Sequence, residues 1–411
     1  MFFLWLPKKF IAGLRDPVPS RLIGSADWEE RKAVTPSFLS YVLGADTLIV
    51  PTVLNPSIDR RRSTTSSLLY ICQNALGDVV TSLPSIHFLK RSYRNNLDVC
   101  INSDLDQIFA ADPHIDRVIA APGNWFDMHA PIEVISGVTR LPGFRNHYDA
   151  VIDTMCVPQT ARLIELLQPN AAAGIGFDDT LHVYDHPVSL ETWRSWSDER
   201  RTACDCFADV IRAWRSGDEY VGTVPVLYVS EAARRWAAGW LNVGNPAQAP
   251  LVAINPGAGS PMKRWPLDRY LELGSNLEAR GFRSLFIFGP KESALQAQAA
   301  PYIAGLNALT YSSPDSRIQN VAALLQQCSL TVSNDCAVMH ISAAVGTRTL
   351  AIFGPSISKI WFPYNQPWNR VVEREAACRK NCFDGCAEFH CLTDISVEAV
   401  LTQAKLMLAS Q

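Results

Sequence analysis

The chain has 411 residues, of which 48% are hydrophobic and 19% charged, and its 37 basic and 40 acidic side chains leave a formal net charge of −3. At roughly 150 residues per domain that length is two to three domains, and the apolar fraction excludes a mainly disordered chain. The small acidic excess argues against a general nucleic-acid binder, and with no apolar run of about 18 residues a membrane-spanning helix is not expected.

The first stretch, to about Ser66, reads as an N-terminal extension and linker. It holds Trp5, Trp28 and several prolines without strand and helix alternation, and it ends in the polar run Asp59 to Ser67. Arg60, Arg61 and Arg62 in that run read as a solvated connection. At its start, Phe2 to Ile11 mixes aromatics with Lys8 and Lys9. The charges follow the apolar residues and Pro7 interrupts them, so no secretory signal is read. The segment is expected to pack on the core or on another subunit, or else to make peripheral contact with a membrane surface. A reducing, cytoplasmic setting is expected for the 11 cysteines.

From Leu68 the pattern changes to short apolar runs alternating with amphipathic stretches. Leu68–Cys72 predicts a strand, Val79–Arg91 a helix through Val80, Leu83, Ile86 and Leu89, and Leu97–Ile101 a second strand. A short helix near Leu105–Ala110, strands at Arg117–Ala121 and Ala150–Asp153, and a helix over Thr160–Leu167 follow. The same grammar restarts at Leu251–Ile254. A helix is predicted over Leu267–Arg280 with Gly281 as its stop, then a strand at Leu285–Phe288 and a helix over Asn320–Gln327. Leu330–Val332 and Thr349–Phe353 read as strands around a helix over Met339–Val345, and a helix at Val397–Leu408 closes the chain. Alternating βαβ units imply parallel sheets covered on both faces. The expected class is therefore α/β, with two Rossmann-like domains at 67–240 and 245–411. The Gly- and Pro-containing segment 241–250 is the expected hinge. Ligands of such sheets bind beyond the carboxyl ends of the strands, so the cleft between the halves is the expected site.

Four runs lie just after strands. In Asn74-Ala75-Leu76-Gly77-Asp78 the aspartate stands at a helix start, where it can be either a helix cap or a base aimed at the cleft. In Asn255 to Pro266, Gly257 and Gly259 permit close backbone approach and Lys263 offers a mobile cation, although the spacing is not that of a Walker A loop. Gly289-Pro290-Lys291-Glu292 places a carboxylate where it can bind ribose hydroxyls or favour a helix start. Ser333 to His340 opens a helix whose free amides attract a diphosphate, with His340 one turn in as a donor or a core histidine.

In order and spacing, these runs resemble glycosyltransferase family 9, the heptosyltransferase family of lipopolysaccharide core assembly. The matching blocks are Ala75-Leu76-Gly77-Asp78 with Leu83-Pro84, Asn255-Pro256-Gly257-Ala258 with Lys263-Arg264-Trp265-Pro266, Phe288-Gly289-Pro290 with Glu292, and Ser333-Asn334-Asp335 with Met339-His340. Ala343 to Thr347 and Ile352-Phe353-Gly354-Pro355 extend the last block, and together they span the chain beyond its first 66 residues.

The resemblance implies a GT-B enzyme that inverts the anomeric carbon of an ADP-activated heptose without a catalytic metal or other cofactor. By carry-over, Asp78 is the general base, Lys263 meets the phosphates and Glu292 the ribose. Gly257 and the helix start at Asp335 and Cys336, with His340, hold the rest of the donor. Cys336 stands where the family has a small residue, and Ala337-Val338 where it has Gly-Pro. Lys90, Arg91, Arg94 and Arg194 are the acceptor-side cations, for a glycan or glycolipid acceptor, with a solvated surface as the plainer reading.

Same-fold and different-class readings stand beside this one, namely a sugar-nucleotide epimerase and a non-catalytic sugar-nucleotide-binding scaffold. Finally, Cys378, Cys382, Cys386 and Cys391 crowd into a C-x3-C-x3-C-x4-C stretch. They can converge on one structural zinc or iron ion, form two local disulfides, stay reduced, or share a partial site with His390.

Overall fold

The computed structural model describes residues 66–409, except 93–94, 124–134, 136, 156, 178, 190–200, 216–221, 223, 313–316, 364–365, 375–385 and 387–388. The N-terminal extension, Arg94, Arg194, Cys378 and Cys382 lie outside the described residues.

Two six-stranded sheets organise the protein. In the first, β1 (Ser66–Ile71), β2 (Asn95–Asn102), β3 (Arg117–Ala121), β4 (Ala150–Asp153), β5 (Ala172–Gly176) and β6 (His186–Ser189) run in the order β3-β2-β1-β4-β5-β6. The second contains β7 (Leu251–Asn255), β8 (Arg283–Phe288), β9 (Leu309–Ser312), β10 (Cys328–Asn334), β11 (Thr349–Phe353) and β12 (Arg370–Glu373), in the order β12-β11-β10-β7-β8-β9. Every pairing is parallel. Each sheet thus has the doubly wound order of a dinucleotide-binding fold, with its switch point between β1 and β4 or between β7 and β10. The central strands are buried on both faces, as continuous runs such as Leu251–Asn255 and Thr349–Phe353 require.

The covering helices explain where one-sided periodicity fails. Helix α1 (Leu76–Ser92) is buried at every residue from Asp78 to Leu89. Besides its own sheet it meets α3 (Ala203–Arg215) of the first half and α8 (Ala337–Ala344) of the second. Between them in the chain, helix α2 (Pro158–Leu167) begins with proline in its first turn, where the missing N–H costs nothing. Helix α3 buries Ala203 and Phe207 in a cluster with Met339, Phe353, Trp361 and Phe362, so an apolar core joins the two halves.

Helix α4 (Glu231–Gly244) is capped by Ser230, whose hydroxyl accepts from the Ala233 amide. It lies on the second half, with Trp236 and Trp240 edge-on to Tyr311 of β9. The crossing from the first half therefore precedes residue 231, upstream of the expected hinge at 241–250. Leu227 of this crossing donates its amide to the Ala344 carbonyl.

On the second sheet lie α5 (Leu267–Glu278), α6 (Ser293–Ile303), α7 (Ile318–Leu325), the short α9 (Ser358–Trp361) and α10 (His390–Thr393), and the closing α11 (Val397–Ala409). Its main core joins Ile254, Trp265, Tyr270, Phe286, Phe288 and Leu401. No described helix is long and apolar enough to cross a membrane.

Candidate active site

Segments at the carboxyl ends of β1, β7, β8 and β10 build the site. Beyond β1 the chain turns into α1, and Asp78 is the third residue of that helix, 4% exposed. It stands inside the first turn rather than at the cap. There the partial positive charge of the helix start favours a carboxylate.

Across from it, the loop between β7 and α5 is held at both ends by one side chain. Asn334, the last residue of β10, donates from Nδ2 to the carbonyls of Pro256 (3.0 Å) and Gly257 (3.1 Å) and accepts from the Trp265 amide at Oδ1 (2.9 Å). Trp265 in turn donates its indole N–H to the Ile395 carbonyl (2.9 Å), tying the loop to the segment before α11. Asn255 donates to the Ile287 carbonyl (2.8 Å) and accepts from the Cys336 thiol (3.0 Å). These residues frame the switch point of the second sheet and leave its loops no freedom to drift. Their types are visible in the sequence motifs, but their roles are not, because each partner is 32 to 130 positions away.

Lys263 closes a one-turn 3-10 helix, Pro261–Lys263, and its Nζ meets Asp335 Oδ2 at 2.6 Å. Both side chains are almost fully buried, at 3% and 2% exposure. The cation expected to meet a phosphate is thus held by the aspartate at the start of α8. Cys336 precedes α8 in extended backbone without capping it, and burial pushes its thiol up to about 11, so it is neutral. His340, in the first turns of α8, is buried, and desolvation lowers its imidazole to about 4 against the pull of Asp335 and Asp78. It is a neutral ring at physiological pH.

Glu292 precedes α6 and accepts the Gly289 amide at 2.7 Å. Its carboxylate fills the space beside Gly257, where a Cβ would fall 1.8 Å from Oε1. The two halves meet at Gly77, whose missing Cβ would stand 2.9 Å from His340 Cδ2. The structure therefore brings Asp78, Lys263, Asp335, Cys336 and His340 to one region, and Gly257 with Glu292 to the neighbouring strand ends.

The remaining expected residues among those described lie elsewhere. Lys90 and Arg91 occupy the last turn of α1, roughly 18 Å along the axis from Asp78 at 1.5 Å per residue. There they complement the negative end of the helix dipole, and Lys90 pairs with Asp116. Of the cysteine stretch, Cys386 accepts the Phe389 amide and Cys391 packs in the main core of the second half; neither forms a disulfide.

The family model for glycosyltransferase family 9 (heptosyltransferase) matches residues 144–390, more than half of the chain. The chain belongs to this family. A curated relative, lipopolysaccharide heptosyltransferase 2 of Escherichia coli K12, is 27% identical over 197 residues, covering 46% of this chain and 54% of that protein. The chain thus spans about half the length of the curated relatives it matches first. Among solved structures, a family 9 glycosyltransferase from Veillonella parvula aligns over 85% of this chain and 99% of its own, at a TM-score of 0.71 and 19% identity. The E. coli ADP-heptose heptosyltransferase II aligns over 84% and 99%, at 0.66 and 18%. At these identities the likeness establishes the fold, which is GT-B.

Proposed function

We propose that this family 9 protein is an inverting glycosyltransferase. It moves a heptose, or a related sugar, from an ADP-activated donor to a hydroxyl of a glycan or glycolipid acceptor. The observation that carries the reading is the meeting of α1 and α8. The turn bearing Asp78 rests on the helix bearing His340, so a carboxylate from one half and an anion-binding helix start from the other converge.

In the reaction Asp78 takes the proton of the acceptor hydroxyl as its oxygen attacks the anomeric carbon. The bond from that carbon to the diphosphate oxygen breaks on the opposite face, and the diphosphate leaves with the electron pair. A positioned base contributes typically ~10²–10⁴-fold. The amides at the start of α8, with Lys263 and the neutral His340 beside them, stabilise the departing charge, so the step needs no metal. The carboxylate of Glu292, beside the backbone at Gly257, holds the ribose. The first half serves as the acceptor side and the second as the donor side.

Solved relatives favour ADP-heptose as the donor: an E. coli heptosyltransferase structure holds ADP and another holds ADP-2-deoxy-2-fluoro heptose. The test is calorimetry with ADP-, GDP- and UDP-sugars, followed by transfer assays with the donor that binds. Binding without transfer to any core glycan acceptor would leave a sugar-nucleotide-binding protein instead. The cysteine stretch keeps its proposed structural metal outside this chemistry, and contact of residues 2–11 with a membrane surface is tested by liposome flotation.

A further inference from the structure

Away from the cleft, three ligand-type side chains converge at the first half's junction with the crossing. His87 lies on α1, nine residues after Asp78 and roughly 13 Å along its axis. Asp112 and His114 come after the 3-10 turn Asp106–Phe109 that succeeds β2. His87 Nε2 stands 2.7 Å from Asp112 Oδ2, and His114 Nδ1 3.1 Å from Asp112 Oδ1, which also accepts the His114 amide at 3.0 Å. The three ligand atoms lie within 4.8 Å of one another. The imidazoles stack with centroids 4.3 Å apart, and Tyr228 of the crossing closes on both rings at 5.7 and 5.6 Å.

We propose that His87, Asp112 and His114 form a binding site for a divalent transition-metal ion, zinc by the chemistry of the donors. Two imidazoles and one carboxylate are a donor set that zinc takes with a fourth position left open. His87 and Asp112 are buried, whereas His114 is 14% exposed, so an ion can enter from its side and turn that ring out of the stack. Zinc bonds of about 2.0–2.2 Å need ligand atoms close together, and the two N···O separations already provide this.

The carboxylate is ready for a cation. Burial works to raise its pKa, but hydrogen bonds from His87 and His114 outweigh that and hold it below the usual range. Facing an ionised Asp112, each ring nitrogen serves as a hydrogen-bond donor, and an ion can take its place once that proton moves to the ring's other nitrogen.

The ion would not touch the reacting atoms. It would pin the helix carrying Asp78 to the turn after β2. That turn is also tied to the second half, because Gln319 of α7 donates to the carbonyls of Gln107 and Tyr228. A metal here therefore braces the base-bearing helix against the crossing between halves.

The experiment uses the full chain, stripped with chelator and titrated with Co²⁺ and then Zn²⁺. Cobalt on the cysteine stretch gives thiolate charge-transfer absorption, whereas cobalt on this site gives only ligand-field bands. The proposal expects one equivalent of cobalt of the second kind. H114A and D112N, checked for native circular dichroism, should lose it, with Zn²⁺ affinity falling by more than the ~10–100-fold that outer-shell changes cost. A wild-type protein whose cobalt spectrum shows thiolate bands only, or no cobalt at all, would overturn the site without reference to any variant. So would equal cobalt uptake by wild type and H114A, which would leave a purely hydrogen-bonded triad.

Discussion

Gly77 and His340 touch across the two halves of the protein, with room for no Cβ between them: one built on Gly77 would stand 2.9 Å from the imidazole Cδ2. Gly77 sits inside α1, where alanine would ordinarily gain about 0.5–1 kcal/mol of helix stability. The gain is withheld because α1 and α8 must close on each other. G77A is therefore expected to keep a melting temperature near that of the wild type while displacing His340 and lowering turnover at least about tenfold. A wild-type rate in this variant would show that the contact between halves is not part of the chemistry.

D78N preserves shape and hydrogen-bonding size but removes the base. Transfer should fall by about 10²–10⁴-fold, while calorimetric affinity for the donor stays within about twofold. If Asp78 serves only the helix dipole, the rate will hold and only stability will drop, by about 1 kcal/mol or less.

Lys263 and Asp335 are a buried pair, so removing one partner strands the other. K263A should cost about 3–5 kcal/mol of folding stability, read as a lower denaturant midpoint. Replacing both, in K263A/D335N, should recover much of that stability yet leave donor binding weakened. Recovery of donor affinity along with stability would reduce Lys263 to a structural residue.

Gly257 offers a separate handle on the donor. In G257A the new methyl group meets the carboxylate end of Glu292, a flexible side chain, so the fold should tolerate it. Glu292 must then leave its bond to the Gly289 amide, and the KM for the donor should rise with little change in kcat. A kcat effect without a KM effect would contradict the placing of Glu292 on the ribose.

His340 carries a pH signature. Its folded pKa of about 4 lies below the unfolded value of about 6.5, so the unfolded chain binds more protons between those values. Its contribution to stability is complete above pH 6.5 and is lost as pH falls towards 4, on the order of 3 kcal/mol over the window. H340N should flatten that part of the stability profile; an unchanged slope in chemical denaturation would place the titration elsewhere.

Hydrophobic patterning alone was enough for β1, β4, β7 and β10, the strands at both switch points. Ala150–Asp153 and Thr349–Phe353 are readable to the residue because both are buried along their whole length, and the edge strand Arg117–Ala121 because its run Val118-Ile119-Ala120-Ala121 is apolar although only part of it is buried. The edge strands His186–Ser189 and Arg370–Glu373 were not readable, being short, polar and half exposed. Helices Ala203–Arg215 and Glu231–Gly244 also escaped, although the first carries a buried stripe of Cys204, Phe207, Ile211 and Trp214; the second buries only Ala233 and Ala237. Helix α1 was legible as a helix but not as one buried all round, because α3 and α8, distant in the chain, both pack on it.

The site divides in the same way. Local motifs after β1, β7, β8 and β10 single out Asp78, Gly257, Lys263, Glu292, Asp335 and His340 as candidates, because a tight turn or helix start at a strand end is written in adjacent residues. Only the tertiary structure decides that Lys263 is paired with Asp335, that Asn334 clamps the loop holding Gly257 and Trp265, and that Lys90 and Arg91 stand at the far end of the helix from Asp78. Likewise, nothing in the spacing of His87, Asp112 and His114 announces a cluster. Its members meet because the segment between β2 and β3 brings Asp112 and His114 up to His87 of α1, and packing between elements depends on shape and burial that no stretch of sequence carries by itself.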